Sequence, residues 1–434
     1  MNFAIRGHSA LEIVARRKSS FALSRFLHGK LAVISVGVAA ALVTSGSDYA
    51  QGQSPSLGKR SEMRRALPAT KFYDTPHPLP AGKPGELIRS ESFEEYELPL
   101  SVSAVRILYH SRSAAGEDVA ASGVVLIPTE KKPPAGGWPV IAWAHGATGV
   151  ARSCAPSLAR NLGHGPFLSM YVNLGYAVVA PDYIGLGTDF RNAFLDNPSN
   201  AADLIASIPA SRTAVPQLGV KWIVMGEAEG GLAAVAVAEK ENEIRDPGYL
   251  GAIAISGLAD IGEIYGHAAF GSSGPTWVSL AYGIKTVYPR FEVSGMLTTK
   301  ALAVYRDIGQ TCSKTGTMAE LSFAEAVKAG WDDNEFVRQY FARNSLARTQ
   351  SYGPKSSGSK LYGPIMVISA DSDQAVPVAA TAQAIARLCK QGDAIQWQRY
   401  PSLDPGRVIG DSVRDQIAWI EARFAGRPSL TNCP

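Results

Sequence analysis

The chain has 434 residues, 46% of them hydrophobic, and a formal net charge of +4. That content is enough for a large buried core and excludes a disordered, collagenous or low-complexity chain. Residues 1–50 carry six basic side chains against Glu12 and Asp48, which accounts for the whole net charge; the remainder is formally neutral, so no nucleic-acid surface is expected.

In chain order, residues 1–50 read as a signal peptide. A basic stretch precedes the apolar run Leu31–Val43, and small residues follow it, with cleavage expected between Ser45 and Ala50. The run is short for a membrane span, and no later segment is long and apolar enough to be one. An exported protein, periplasmic or extracellular, is therefore expected. Residues 51–84, rich in Pro, Gly and Ser, form an N-terminal arm or linker. Ala104–His110 and Ser122–Pro128 flank a turn at Ala114–Asp118 and predict a hairpin.

Beyond the hairpin the rhythm changes. Pro139–Ala144 leads into the loop His145-Gly146-Ala147-Thr148-Gly149, and Tyr176–Ala180 ends in Pro181-Asp182-Tyr183. Ala201–Val215 reads as a helix. Trp222–Met225 runs into Gly226 and then the Ala-rich helix Leu232–Lys240, with Gly251–Ile255 as a further strand. Ile365–Ser369 and Ile395–Tyr400 follow later, each ahead of a helical pattern. Short buried strands alternating with helices predict an α/β fold, a mostly parallel sheet covered on both faces, with antiparallel strands at one edge. Residues 258–360 break the rhythm with helical patterns at Phe323–Ala329 and Asn334–Ala342 and no clear strand. They read as a helical cap inserted into a core of residues 85–257 and 361–434.

The chemistry should lie at Gly226-Glu227-Ala228-Glu229-Gly230-Gly231, between a strand and a helix. This is the frame of a nucleophile elbow, G-x-S-x-G, whose glycines permit a tight turn and close helix packing. The apex holds Ala228, which has no oxygen to attack a carbonyl, and no other G-x-S-x-G exists in the chain.

With these residues in view, the chain resembles the secretory lipase family of the α/β-hydrolase superfamily. The resemblance runs from about Glu86 to Cys433. It rests on Ala144-His145-Gly146 with Cys154-Ala155-Pro156-Ser157, on Ala180-Pro181-Asp182-Tyr183 with Gly185-Leu186-Gly187, and on the elbow frame. Ala370-Asp371-Ser372-Asp373 with Val376-Pro377, Tyr400-Pro401-Ser402-Leu403-Asp404, and the tail with Trp419-Ile420 and Cys433 complete it.

The resemblance implies carboxylic-ester hydrolysis through an acyl-enzyme, on a small ester or lipid-like molecule, with no cofactor and no metal. It places the triad acid at Asp373, with Asp371 as runner-up, and the base at Pro405, which has no titratable nitrogen. No histidine follows His267 to replace it; His145, His164 and His267 read as structural or solvated. The oxyanion hole uses backbone N–H groups and survives in principle at Glu229 and at Gly146 or Ala147. Glu227 and Glu229 read as carboxylates favoured near a helix N-terminus rather than as an acid/base pair. The resemblance also implies the disulfides Cys154–Cys312 and Cys389–Cys433, reasonable in an exported chain. The expectation is a catalytically dead or severely impaired ester hydrolase, a pseudoenzyme. The alternatives are an active esterase using unrecognised groups, and a binding or scaffold module that keeps the pocket for a lipid-like ligand.

Overall fold

A computed structural model describes residues 66–259, 261, 274–310, 312, 321–345 and 360–433. All lie in the second of the chain's two units, Pro55–Pro434. The expected signal peptide and His267 fall outside the described residues.

Nine strands form one sheet: β1 (Leu87–Ser92), β2 (Val102–Arg112), β3 (Asp118–Pro128), β4 (Trp138–Ala144), β5 (Ala177–Pro181), β6 (Leu218–Glu227), β7 (Tyr249–Ile255), β8 (Ile365–Ala370) and β9 (Ile395–Tyr400). Their spatial order is β1-β2-β3-β5-β4-β6-β7-β8-β9. β1, β2, β3 and β5 pair antiparallel in succession, and every pairing from β5 through β4 to β9 is parallel. The central strands are buried on both faces, and alternate residues feed two cores. Val140, Ala142, Trp222, Val224, Ala252 and Ala254 face one. Ile141, Trp143, Ile223, Met225, Ile253 and Ile255 face the other. This two-sided burial is why these strands read as unbroken apolar runs.

The helices are α1 (Gly165–Leu174), α2 (Asn197–Ala214), α3 (Glu229–Ile244), α4 (Gly274–Val287), α5 (Thr299–Tyr305), α6 (Phe323–Ala326), α7 (Glu335–Arg343), α8 (Val378–Lys390), α9 (Pro405–Asp411) and α10 (Val413–Phe424). Between β7 and β8 the described elements are the helices α4–α7 and two 3₁₀ turns, plus one isolated bridge from Leu297 to Val327. The helix expected over Phe323–Ala329 stops at Ala326. A capping box between Ser322 and Glu325 starts it, and Val327 turns extended to reach Leu297. α7 begins one residue later than expected because Asn334 is its cap, accepting from Phe336 N at 2.9 Å.

Two elements carry little sequence signal. β1 (LIRSES) is a half-exposed edge strand held by its backbone pairing with β2. α1 begins at Gly165, directly after Gly163-His164, where the flanking glycines give no helix signal; Gly175 at φ +100° closes it. The described part of the arm is built in: Leu67 N donates to Leu158 O at 2.7 Å, and the buried Tyr73 donates to Ser157 Oγ at 2.8 Å. Both disulfides form as expected, with Cα separations of 4.9 Å for Cys154–Cys312 and 5.5 Å for Cys389–Cys433. No helix among the described residues is long and apolar enough to cross a membrane.

Candidate active site

The parallel register brings the C-terminal ends of β4, β6, β7, β8 and β9 to one edge of the sheet. β6 turns there into α3 at a single residue, Ala228, with φ +51° and ψ −115°. That is a strained conformation for a residue with a Cβ. The surrounding glycines are sterically required. A Cβ on Gly226 would lie 2.2 Å from Gly230 O, one on Gly230 would lie 1.9 Å from Ala144 O, and one on Gly231 would lie 2.8 Å from Gly257 Cα. The elbow is fully formed, and a methyl group sits at its apex.

The turn is tied sideways. Ala228 N donates to Ile255 O at 2.9 Å, and Ser256 N, next on that chain, donates to Ile368 O at 2.9 Å. Beyond β8, Asp373 is buried; its Oδ1 accepts from Ala375 N at 2.9 Å and Val376 N at 2.8 Å. Burial raises its pKa above the ordinary aspartate range, against the lowering effect of those N–H donors. So the carboxyl stands at the expected strand end while also capping the loop before α8. Asp371 is engaged elsewhere, paired with Arg399 through contacts of 3.1 and 2.6 Å. The loop after β9 lies beside it: Ser372 Oγ donates to Leu403 O at 2.6 Å. At the end of that loop Pro405 is the first residue of α9. Asp404 caps the helix by accepting from Arg407 N at 3.0 Å. Proline suits a first helical position, so a helix start occupies the place expected for the base.

His145 is no substitute base. It is buried and stacked on Tyr183 at 4.2 Å. Nδ1 lies 2.7 Å from Gly146 O and Nε2 lies 3.1 Å from Asp182 O. Burial lowers its pKa, against the raising effect of the two carbonyls, and both ring nitrogens are already engaged. The Ser157 and Asp182 motifs explain one another: Asp182 accepts from Ser157 N at 2.8 Å, from Ser157 Oγ at 2.5 Å and from Ser122 Oγ at 2.7 Å. They form a buried post behind the His-Gly loop.

The two elbow glutamates diverge. Glu229 turns into the core, accepting from Leu195 N at 2.9 Å and Asn200 Nδ2 at 3.0 Å, and burial pushes its pKa up to about 7. Glu227 stays partly exposed, its Oε2 3.6 Å from His164 Nε2. Sequence reasoning gave His164 no such partner, because the pairing needs the unexpected α1 to bring it there. Among the described residues, no hydrogen bond occupies the backbone N–H of Gly146, Ala147 or Glu229.

Comparison with known proteins agrees with this arrangement. No curated protein shows significant sequence similarity to the chain. The closed state of Candida antarctica lipase A is similar in structure, with a TM-score of 0.70 at 18% identity, covering 84% of this chain and 89% of that one. The rice cell wall degrading esterase LipA from Xanthomonas oryzae gives 0.63 at 18%, covering 80% and 100%. A putative hydrolase from Legionella pneumophila gives 0.62 at 16%, covering 80% and 100%. At these identities the likeness establishes the α/β-hydrolase fold. The family described as secretory lipase matches residues 165–432. The two disulfides fit the export that this family's description names. With the elbow, the strand-end acid and the match over more than half its length, the chain belongs to the secretory lipase family, a family of carboxylic-ester hydrolases.

Proposed function

We propose that this chain is a family member that does not hydrolyse esters at enzymatic rates. The observation that carries the reading is Ala228 at the apex of a complete elbow. Pro405 at the start of α9 supplies no imidazole for Asp373 to orient. In a working triad, loss of the nucleophile or base costs about 10⁶ in kcat, on the order of 8 kcal/mol. Backbone donors and binding alone leave roughly 10³–10⁴ over water. A second reading, a binding module for an uncharged ester or lipid-like molecule, is favoured by the unengaged N–H groups of Gly146, Ala147 and Glu229. In that reading the helices between β7 and β8 act as a cap, and the protein works in the periplasm or outside the cell.

The test is chromogenic ester hydrolysis by the chain beside Ala228→Ser, Pro405→His and the double variant. Triad members act as a unit, so each single change should gain little and the pair far more than the product of the two. Turnover by the unmodified chain at ordinary rates, roughly 1–10³ s⁻¹, would sink the proposal.

A further inference from the structure

We propose that the free edge of β9 is an interaction surface for a second copy of this chain, and that the C-terminal residues 431–433, clamped by Cys389–Cys433, keep it closed. Among the described residues β9 is the last strand of the sheet. It pairs with β8 through every residue from Ile395 to Tyr400 with no shift of register. The opposite edge, β1, breaks register between Leu87 and Arg89 and carries Arg89 and Glu91, features that discourage a further strand. β9 lacks the register break, and a flat, regular edge is a template for pairing. Its outward peptide groups are instead taken by the tail. Ile395 O accepts from Thr431 Oγ1 at 3.0 Å and from Asn432 N at 3.1 Å. Trp397 N donates to Asn432 Oδ1 at 2.7 Å, and Trp397 O accepts from Asn432 Nδ2 at 2.8 Å. The asparagine side chain thus stands in for a neighbouring peptide group.

The tail has weak means of staying there by itself. Between Pro428, whose carbonyl Arg423 holds at 2.9 Å, and Cys433, it buries no apolar side chain. Leu430 is 75% exposed, and Thr431 and Asn432 are exposed. Hydrogen bonds at such positions exchange readily for bonds to water. The covalent hold is Cys433, joined to Cys389 near the end of α8, which returns Asn432 to β9 whenever it leaves. Without that link, Ile395 and Trp397 present open peptide groups, and the alternation of a strand turns Arg399 the same way. A two-fold antiparallel pairing centred on Trp397 suits this edge. It sets Trp397 opposite its own counterpart, Ile395 opposite Arg399 and Gln396 opposite Gln398, so that no like charges meet.

Sedimentation velocity on the full chain and on Cys389→Ser/Cys433→Ser, with circular dichroism to confirm folding, tests this. The double variant should form a species of twice the parent's mass. Adding Trp397→Pro should abolish it, because the Trp397 N–H serves the tail and not β8, so proline removes an edge donor and leaves the ladder. Asn432→Ala keeps the clamp, so it should speed amide exchange at Trp397 without causing association. A folded double variant that sediments like the parent would overturn the proposal. So would association that survives Trp397→Pro, or association of Asn432→Ala. If the double variant does not fold, reduction of the folded parent, with peptide mapping to show Cys389 and Cys433 as thiols, must give the same doubling of mass. If the reduced parent unfolds as well, the link holds the fold rather than the edge, and the proposal fails.

Discussion

Glu229 offers a sharp test of how the elbow is held. Its carboxyl is enclosed between α3 and the start of α2, and Oε1 accepts both Leu195 N and Asn200 Nδ2. Burial moves its pKa from 4.5 to about 7. The folded state therefore keeps a proton that the unfolded chain has already lost. This contribution to stability is fully present below the unfolded value and is lost as pH rises through about 7. A shift of roughly two and a half units at ~1.36 kcal/mol each gives about 3 kcal/mol between the two limits. Glu229→Gln keeps an oxygen for both donors and removes the ionisation. At pH near 5 the variant should match the parent within about 1 kcal/mol, the price of placing one extra amide donor. Near pH 8.5 it should be more stable by on the order of 2–3 kcal/mol. Urea unfolding at several pH values measures both limits. Asp203, also buried and raised to about 7, adds a slope of the same sign to both proteins, so the difference between them isolates Glu229. Parallel stability profiles for the two proteins would refute the reasoning.

Three further outcomes follow from the same geometry. Ala228→Gly should raise stability by about 1 kcal/mol, since glycine takes φ +51° without strain; a drop in denaturation midpoint would contradict the strained apex. Gly230→Ala should cost more than about 3 kcal/mol or prevent folding, because its Cβ would meet Ala144 O at 1.9 Å, and circular dichroism with thermal melting reads this directly. Asp404→Ala should cost about 1 kcal/mol through loss of the α9 cap, measured by urea unfolding, while Asp404→Asn keeps most of it.

The parallel core was legible because each central strand is apolar on both faces and short. Their order in the sheet, and the sideways ties from Ala228 through Ile255 and Ser256 to Ile368, are products of tertiary pairing that no local pattern carries. The elbow frame was legible because a tight strand-to-helix turn demands glycines at fixed spacings. The pairing of His164 with Glu227 was not, because glycines on either side of the histidine hid the start of α1. Glu229's inward turn was equally hidden, since a carboxylate beside a helix N-terminus reads as surface until Asn200 and Leu195 are placed around it.

The persistence of the elbow without a nucleophile has a steric cause independent of catalysis. A Cβ on Gly226 would meet Gly230, one on Gly230 would meet Ala144 and one on Gly231 would meet Gly257, and none of these contacts involves the apex side chain. An alanine at the apex therefore leaves the packing of α3 on β4 and β7 undisturbed, whereas replacing a glycine would not. The same holds at the position expected for the base, where a cap and a proline give α9 a stable start without any histidine. The frame of an ester hydrolase thus reports how the sheet and its helices fit together. Whether the chemistry survives is written only in the side chains that stand on that frame, and in the proposed reading those are Ala228 and Pro405.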